Sequence, residues 1–60
     1  MTIGERIAEE RKFAGLTQKE LGAQTGIDPS TIRKYESGRL NPKIETIKRI
    51  AEVLNINWYV

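Results

Sequence analysis

Sixty residues with a formal net charge of +2 make one small domain, with room for a modest core and no more. The chain contains neither Cys nor His, which excludes disulfide staples and the usual zinc sites and leaves stability to helix packing or oligomerisation. The same two gaps remove the common bases, nucleophiles and soft metal ligands, so no catalytic residue, metal or cofactor is expected.

The opening "MTIGERIAEE" has no apolar stretch of signal-peptide type. No run approaches the roughly 18 apolar residues of a membrane span, so a cytoplasmic protein with no membrane partner is expected. In "TIGE", Thr2 and Glu5 have capping-box spacing, the hydroxyl and the carboxylate each serving an orphan N–H. Ile3, Ile7, Ala8 and Ala14 follow at close to helical spacing, and Gly15 stands where a left-handed residue ends a helix. The first helix is predicted over about residues 2–14.

"TQKE" repeats the signal with Thr17 and Glu20 and starts a brief second helix, running to about Gln24 with Leu21 and Ala23 as its main apolar residues. Gly22 inside it costs up to about 1 kcal/mol against Ala, a cost offset if another backbone approaches closely there. A third helix starts at Asp28, a strong N-cap, with Pro29 at N1 and Gly38 as its stop. Only Thr25, Gly26 and Ile27 separate it from the second, too few for an antiparallel return, so the two helices must cross steeply.

The third helix has a thin apolar side, Ile32 and Tyr35, while Ser30, Arg33, Lys34 and Ser37 rise along its other side at i, i+3, i+4 and i+7. An exposed helix N-terminus offers free N–H groups and a partial positive charge, which attract phosphate. Residues 1–27 balance Arg6, Arg11, Lys12 and Lys19 against Glu5, Glu9, Glu10 and Glu20. From Arg33 to Lys43 the cations Arg33, Lys34, Arg39 and Lys43 face the single anion Glu36, a local positive field suited to a polyanion.

The fourth helix has the clearest periodicity, with Ile44, Ile47, Ile50, Ala51 and Leu54 on one face. Its start is either Asn41-Pro42 as N-cap and N1 or Lys43 as the cap. Glu45 and Arg49 stand at ion-pairing spacing along it. "NINWYV" begins another turn or helix that is still open at residue 60, a pattern also met in a piece of a longer protein. Trp58 is expected to close the core against the fourth helix, and Tyr59 or Val60 to add to a self-association surface. No alternating strand pattern occurs, so the fold class is all-α, a compact domain of four to five helices spanning 1–60.

The stretch "TQKELGAQTGIDPSTIRKYESG" strongly resembles the helix-turn-helix of the phage Cro and repressor family, the XRE type, with its lambda-repressor-like DNA-binding domain. The likeness rests on the order and spacing of Gln18, Glu20-Leu21, Gly26, Ile32, Glu36 and Gly38, and it runs on through "NPKIETIKRIAEVLNINWYV". It implies a sequence-specific transcriptional regulator, a repressor by type, with the motif at about 17–37. The resemblance further implies double-stranded DNA as the partner and a homodimer on a near-palindromic operator. The 60 residues leave little room for a sensor, so no small-molecule ligand is expected in this segment.

Carried onto this chain, the resemblance implies base reading by Pro29, Ser30, Arg33 and Lys34 and backbone contacts from Thr17, Gln18, Ser37, Arg39, Asn41 and Lys43. The sequence departs from the family pattern at Pro29, which cannot donate from its side chain and either meets a thymine methyl or does no more than start the helix. Asp28 fits a cap better than a base contact, its one productive base option being cytosine N4. Arg11 and Glu36 correspond to a structural ion pair joining the first helix to the third. An antitoxin or bridging-type interaction module is the alternative, because it uses the same fold.

Overall fold

The computed structural model describes residues 2–57. They form four helices, α1 (Ile3–Phe13), α2 (Gln18–Thr25), α3 (Pro29–Ser37) and α4 (Ile44–Leu54), and no strand occurs among them. Both predicted capping boxes are present. Thr2 accepts from the Glu5 N–H while Glu5 accepts from the Thr2 N–H, and Thr17 and Glu20 do the same at α2. Two orphan donors at each start are thus satisfied by residues three apart, which is why these boundaries are written locally.

Helix α4 begins at Ile44 with Lys43 as its N-cap, and Lys43 makes no side-chain cap bond. The choice between Asn41-Pro42 and Lys43 therefore resolves in favour of Lys43. The helix ends at Asn55, which adopts the left-handed conformation (φ 56°). Ile56 and Asn57 are not helical, and the expectations placed on Trp58, Tyr59 and Val60 lie outside the described residues.

Helix α1 packs chiefly on α3, and α2 on both α3 and α4. The core is Ile7, Leu21, Ile32, Tyr35, Ile50 and Leu54, with Ile3, Leu16, Ile27, Val53 and Ile56 packed against it. Two apolar expectations are corrected. Ala23 is exposed, so α2 meets the core through Leu21, flanked by the buried Gly22 and Thr25. Ile44 is 67% exposed, because α4 reaches the core only through its later turns, at Ile50, Ala51 and Leu54. Its first turn overhangs, and Ile44, Ile47, Ala51 and Ile56 line an open groove there.

Two glycines set the packing distances. A side chain on Gly4 would collide with the Tyr35 carbonyl, so α1 lies directly on the backbone of α3. A Cβ on Gly22 would stand 2.5 Å from the Ile27 carbonyl oxygen and 3.3 and 3.4 Å from Pro29 Cγ and Cδ. The close approach expected at Gly22 is real, and it comes from the turn and the Pro29 ring.

Candidate nucleic-acid interface

The turn between α2 and α3 is built from backbone. The Gly26 and Ile27 N–H groups both donate to the Gly22 carbonyl, at 2.8 and 3.1 Å, which closes α2 sharply. Gly26 makes this possible at φ 74°, a conformation other residues adopt only at a cost. The buried Thr25 turns its hydroxyl back to the Leu21 carbonyl (2.7 Å), and Arg49 of α4 reaches the Thr25 carbonyl at 3.4 Å. The expected Glu45–Arg49 pair is absent, whereas among the described residues an i,i+4 pair forms between Arg6 and Glu10 at 3.4 Å.

From this turn α3 runs with Ile32 and Tyr35 inward. Ser30, Arg33, Lys34 and Ser37 are exposed, as are Arg39, Asn41 and Lys43 in the following loop and Thr17 at the start of α2. The structure brings the expected contact residues to the surface, with Pro29 and Gln18 half-buried. Pro29 opens the helix with its ring in the space beside Gly22, where a side chain on α2 would otherwise stand. The Ser37 hydroxyl donates back to the Lys34 carbonyl at 3.1 Å.

The expected ion pair is the centre of a larger clasp. Arg11 Nε donates to Glu36 Oε2 at 2.7 Å and Nη2 to Oε1 at 3.0 Å, a bidentate fork between side chains only 10% and 9% exposed. Arg11 Nη1 donates to the Leu16 carbonyl (2.8 Å), and Gln18 Nε2 donates to Glu36 Oε1 (3.0 Å). Burial pushes the Glu36 carboxyl up, but the bonds from Arg11 and Gln18, with the charges of Arg11 and Lys12, outweigh it and hold it below its ordinary value. Helices α1, α2 and α3 are therefore tied at one carboxylate. Because Glu36 is paired inward, the exposed charge from Arg33 to Lys43 is carried by four cations alone.

The tip of α3 differs from expectation. Pro29 has no N–H, the Ser30 N–H donates to Asp28 Oδ1 (2.8 Å), and the N–H groups of Thr31 and Ile32 donate to the Asp28 carbonyl (2.9 and 3.1 Å). The backbone of residues 29–32 thus keeps no free donor for a phosphate, and a carboxylate stands where an anion would sit. The Ser30 hydroxyl also donates to Asp28 Oδ1, at 2.7 Å. These bonds, the hydroxyl first, with the nearby charge of Lys34, hold the Asp28 carboxyl below the usual carboxylate range. At α2, by contrast, the cap engages the Glu20 and Leu21 N–H groups, and those of Gln18 and Lys19 point out of the first turn.

Two short helices joined at Gly26, the second presenting a polar and cationic flank, define a helix-turn-helix unit. Comparison with known proteins agrees. The family model described as "Helix-turn-helix" matches residues 7–59, and the chain belongs to that family. It is 39% identical over 57 residues to the cryptic phage CTXphi transcriptional repressor RstR of Vibrio cholerae, covering 95% of this chain and 51% of that protein. A putative multi-protein-binding factor 1 of Yarrowia lipolytica is 36% identical over 55 residues, 92% of this chain and 36% of that one. The chain thus spans about half the length of these relatives or less. Among solved structures, the biofilm master regulator SinR in complex with DNA superposes with a TM-score of 0.88 at 30% identity, over 93% of this chain and 90% of that one. Among the described residues, no helix is long and apolar enough to cross a membrane.

Proposed function

We propose that this chain is the DNA-binding unit of a cytoplasmic transcriptional repressor, which lays α3 in the major groove and binds as a homodimer on a near-palindromic operator. The observation that carries the reading is the outward flank of α3. Arg33 and Lys34 stand exposed on a helix whose opposite side is locked to the body through Ile32, Tyr35 and Glu36. A rigid cationic helix of this kind pairs with guanine O6 and N7 from Arg or Lys. Thr17, Gln18, Ser37, Arg39, Asn41 and Lys43 then lie along the sugar-phosphate chains and set the register. The Gln18 amide nitrogen is held by Glu36, so its backbone N–H, with that of Lys19, faces phosphate at the N-terminus of α2. The likeness to a phage repressor and to a regulator crystallised on DNA supports the reading.

A second reading, a bridging module that contacts other proteins, is favoured by the likeness to the multi-protein-binding factor. Titrating the purified chain into labelled duplex from its own promoter region, with sedimentation of the complex, separates the two. A repressor gives salt-dependent binding with two chains on each operator, half-sites lying about 34–36 Å apart. A bridging module leaves promoter duplex unbound and co-purifies with a protein partner.

A further inference from the structure

The hydrogen bonds at the start of α3 assign a specificity to its tip, and the argument rests on the DNA-binding reading above. We infer that Asp28 and Ser30 together form an acceptor-only reading element that selects the N4 amino group of a cytosine.

An ionised carboxylate cannot donate, so in the 2.7 Å contact between Ser30 Oγ and Asp28 Oδ1 the single hydroxyl proton points at Asp28. Ser30 then faces outward with lone pairs only. Asp28 Oδ1 accepts twice from Ser30, which leaves Oδ2 as a second outward acceptor. Pro29 between them has no donor of any kind, and the backbone N–H groups of residues 30–32 are engaged by Asp28 itself. Asp28 and Ser30 are both exposed, so these acceptors face solvent while the Ser30 hydroxyl stays bonded to Asp28.

Two acceptors side by side repel the O6 and N7 of guanine and the O4 of thymine. Adenine offers its N6 amino group, but N7 stands beside it and meets the second acceptor unfavourably. Cytosine offers N4–H with a carbon-bound hydrogen on one side and the paired guanine's O6 on the other, so two acceptors approaching from the C5 side make the productive pairing. One turn further on, Arg33 and Lys34 supply the donors that guanine needs, so α3 reads with opposite polarity at its two ends.

The test is selection of bound duplexes from a random pool by the wild-type chain and by Asp28→Asn. Asn caps a helix as well as Asp does, so the variant keeps its fold, with melting temperatures agreeing within about 2 °C. Its amide, however, adds a donor to the tip. The wild type is expected to select a C·G pair at one position of each half-site, by about tenfold over the other pairs, and the variant to lose that preference while the remaining positions stand. An unchanged consensus in the variant, or an A·T pair at the Asp28-sensitive position, overturns the assignment and leaves the DNA-binding reading intact. A wild-type chain that enriches no sequence overturns both.

Discussion

Replacing Glu36 by Ala tests the clasp that fixes α3 against α1 and α2. Of its four hydrogen bonds, three end on Glu36, from Arg11 Nε, Arg11 Nη2 and Gln18 Nε2. The fourth joins Arg11 Nη1 to the Leu16 carbonyl and alone remains in the variant. The guanidinium of a side chain only 10% exposed then keeps its charge without its counter-charge. Removing one partner of a buried pair costs about 3–5 kcal/mol, and the guanidinium lies near enough to the rim to relax toward water, which places the loss near about 3 kcal/mol. A domain of this size has roughly 3–9 kcal/mol of total stability, so the loss is a third or more of it. At about 4–8 °C per kcal/mol, the melting temperature falls by about 12–24 °C.

Thermal unfolding followed by circular dichroism at neutral pH measures this, with Glu45→Ala as the reference. Glu45 is exposed and outside any ion pair, so its removal changes stability by no more than about 0.5 kcal/mol. Melting temperatures within about 3 °C of each other would refute the clasp. Acid gives a second view of the same group. Glu36 is held below its ordinary value of 4.5 in the fold, so its contribution is complete above that pH and fades as the pH falls through the folded value. Stability is therefore level from pH 7 to about 5 and drops below, and Glu36→Gln, which cannot ionise, shows a shallower drop from a lower plateau.

Gly22→Ala adds a good helix former but drives its methyl into the Ile27 carbonyl and the Pro29 ring, so stability falls by about 1–3 kcal/mol instead of rising by about 1; a higher melting temperature would show that the turn yields freely. Ile50→Ala costs about 2–5 kcal/mol in chemical denaturation while Ile44→Ala costs less than about 0.5, although both belong to one periodic stripe; equal losses would place Ile44 in the core after all. Arg33→Ala weakens binding to the selected site by about 1–3 kcal/mol and relaxes one base preference, whereas Lys43→Ala weakens all duplexes alike and lowers the salt slope by about one. Anisotropy titrations at several salt concentrations distinguish the two, and identical effects would dissolve the division between reading and positioning.

What was legible in the chain is what rests on neighbours three or four residues apart. Thr2 with Glu5, Thr17 with Glu20 and Asp28 with Pro29 announce three helix starts, because a capping bond closes within one turn and needs no partner elsewhere. Periodicity likewise placed Ile32, Tyr35, Ile50 and Leu54 in the core. It misplaced Ile44, because a stripe states which side of a helix is apolar but not how far along it the neighbouring helices extend. The clasp bridges 25 residues from Arg11 to Glu36 and 18 from Gln18 to Glu36, and only the resemblance to repressors pointed to the ion pair in it. Gly4 gave no signal beyond being a glycine early in a helix, although its bare backbone is what lets α1 touch α3.

The tip of α3 is the instructive miss, since every group in it is local. Reading Asp28 as a cap was right, but a cap also consumes donors, and the first turn it satisfies no longer attracts phosphate. The consequence reaches function. On the proposed DNA-binding reading, the first turn of α3, filled by its own carboxylate, does not seek phosphate, and the helix N-terminus that does is that of α2, whose first N–H groups stay open. On that same reading the outward flank of helix α3 meets base edges, acceptors first and cations behind. Its grip on the body runs through Ile32, Tyr35 and Glu36, with Pro29 beside Gly22 and the Tyr35 backbone beside Gly4. The residues that never face the groove therefore govern how accurately the others do, and loosening the clasp should cost affinity on the selected site before it costs affinity on random duplex.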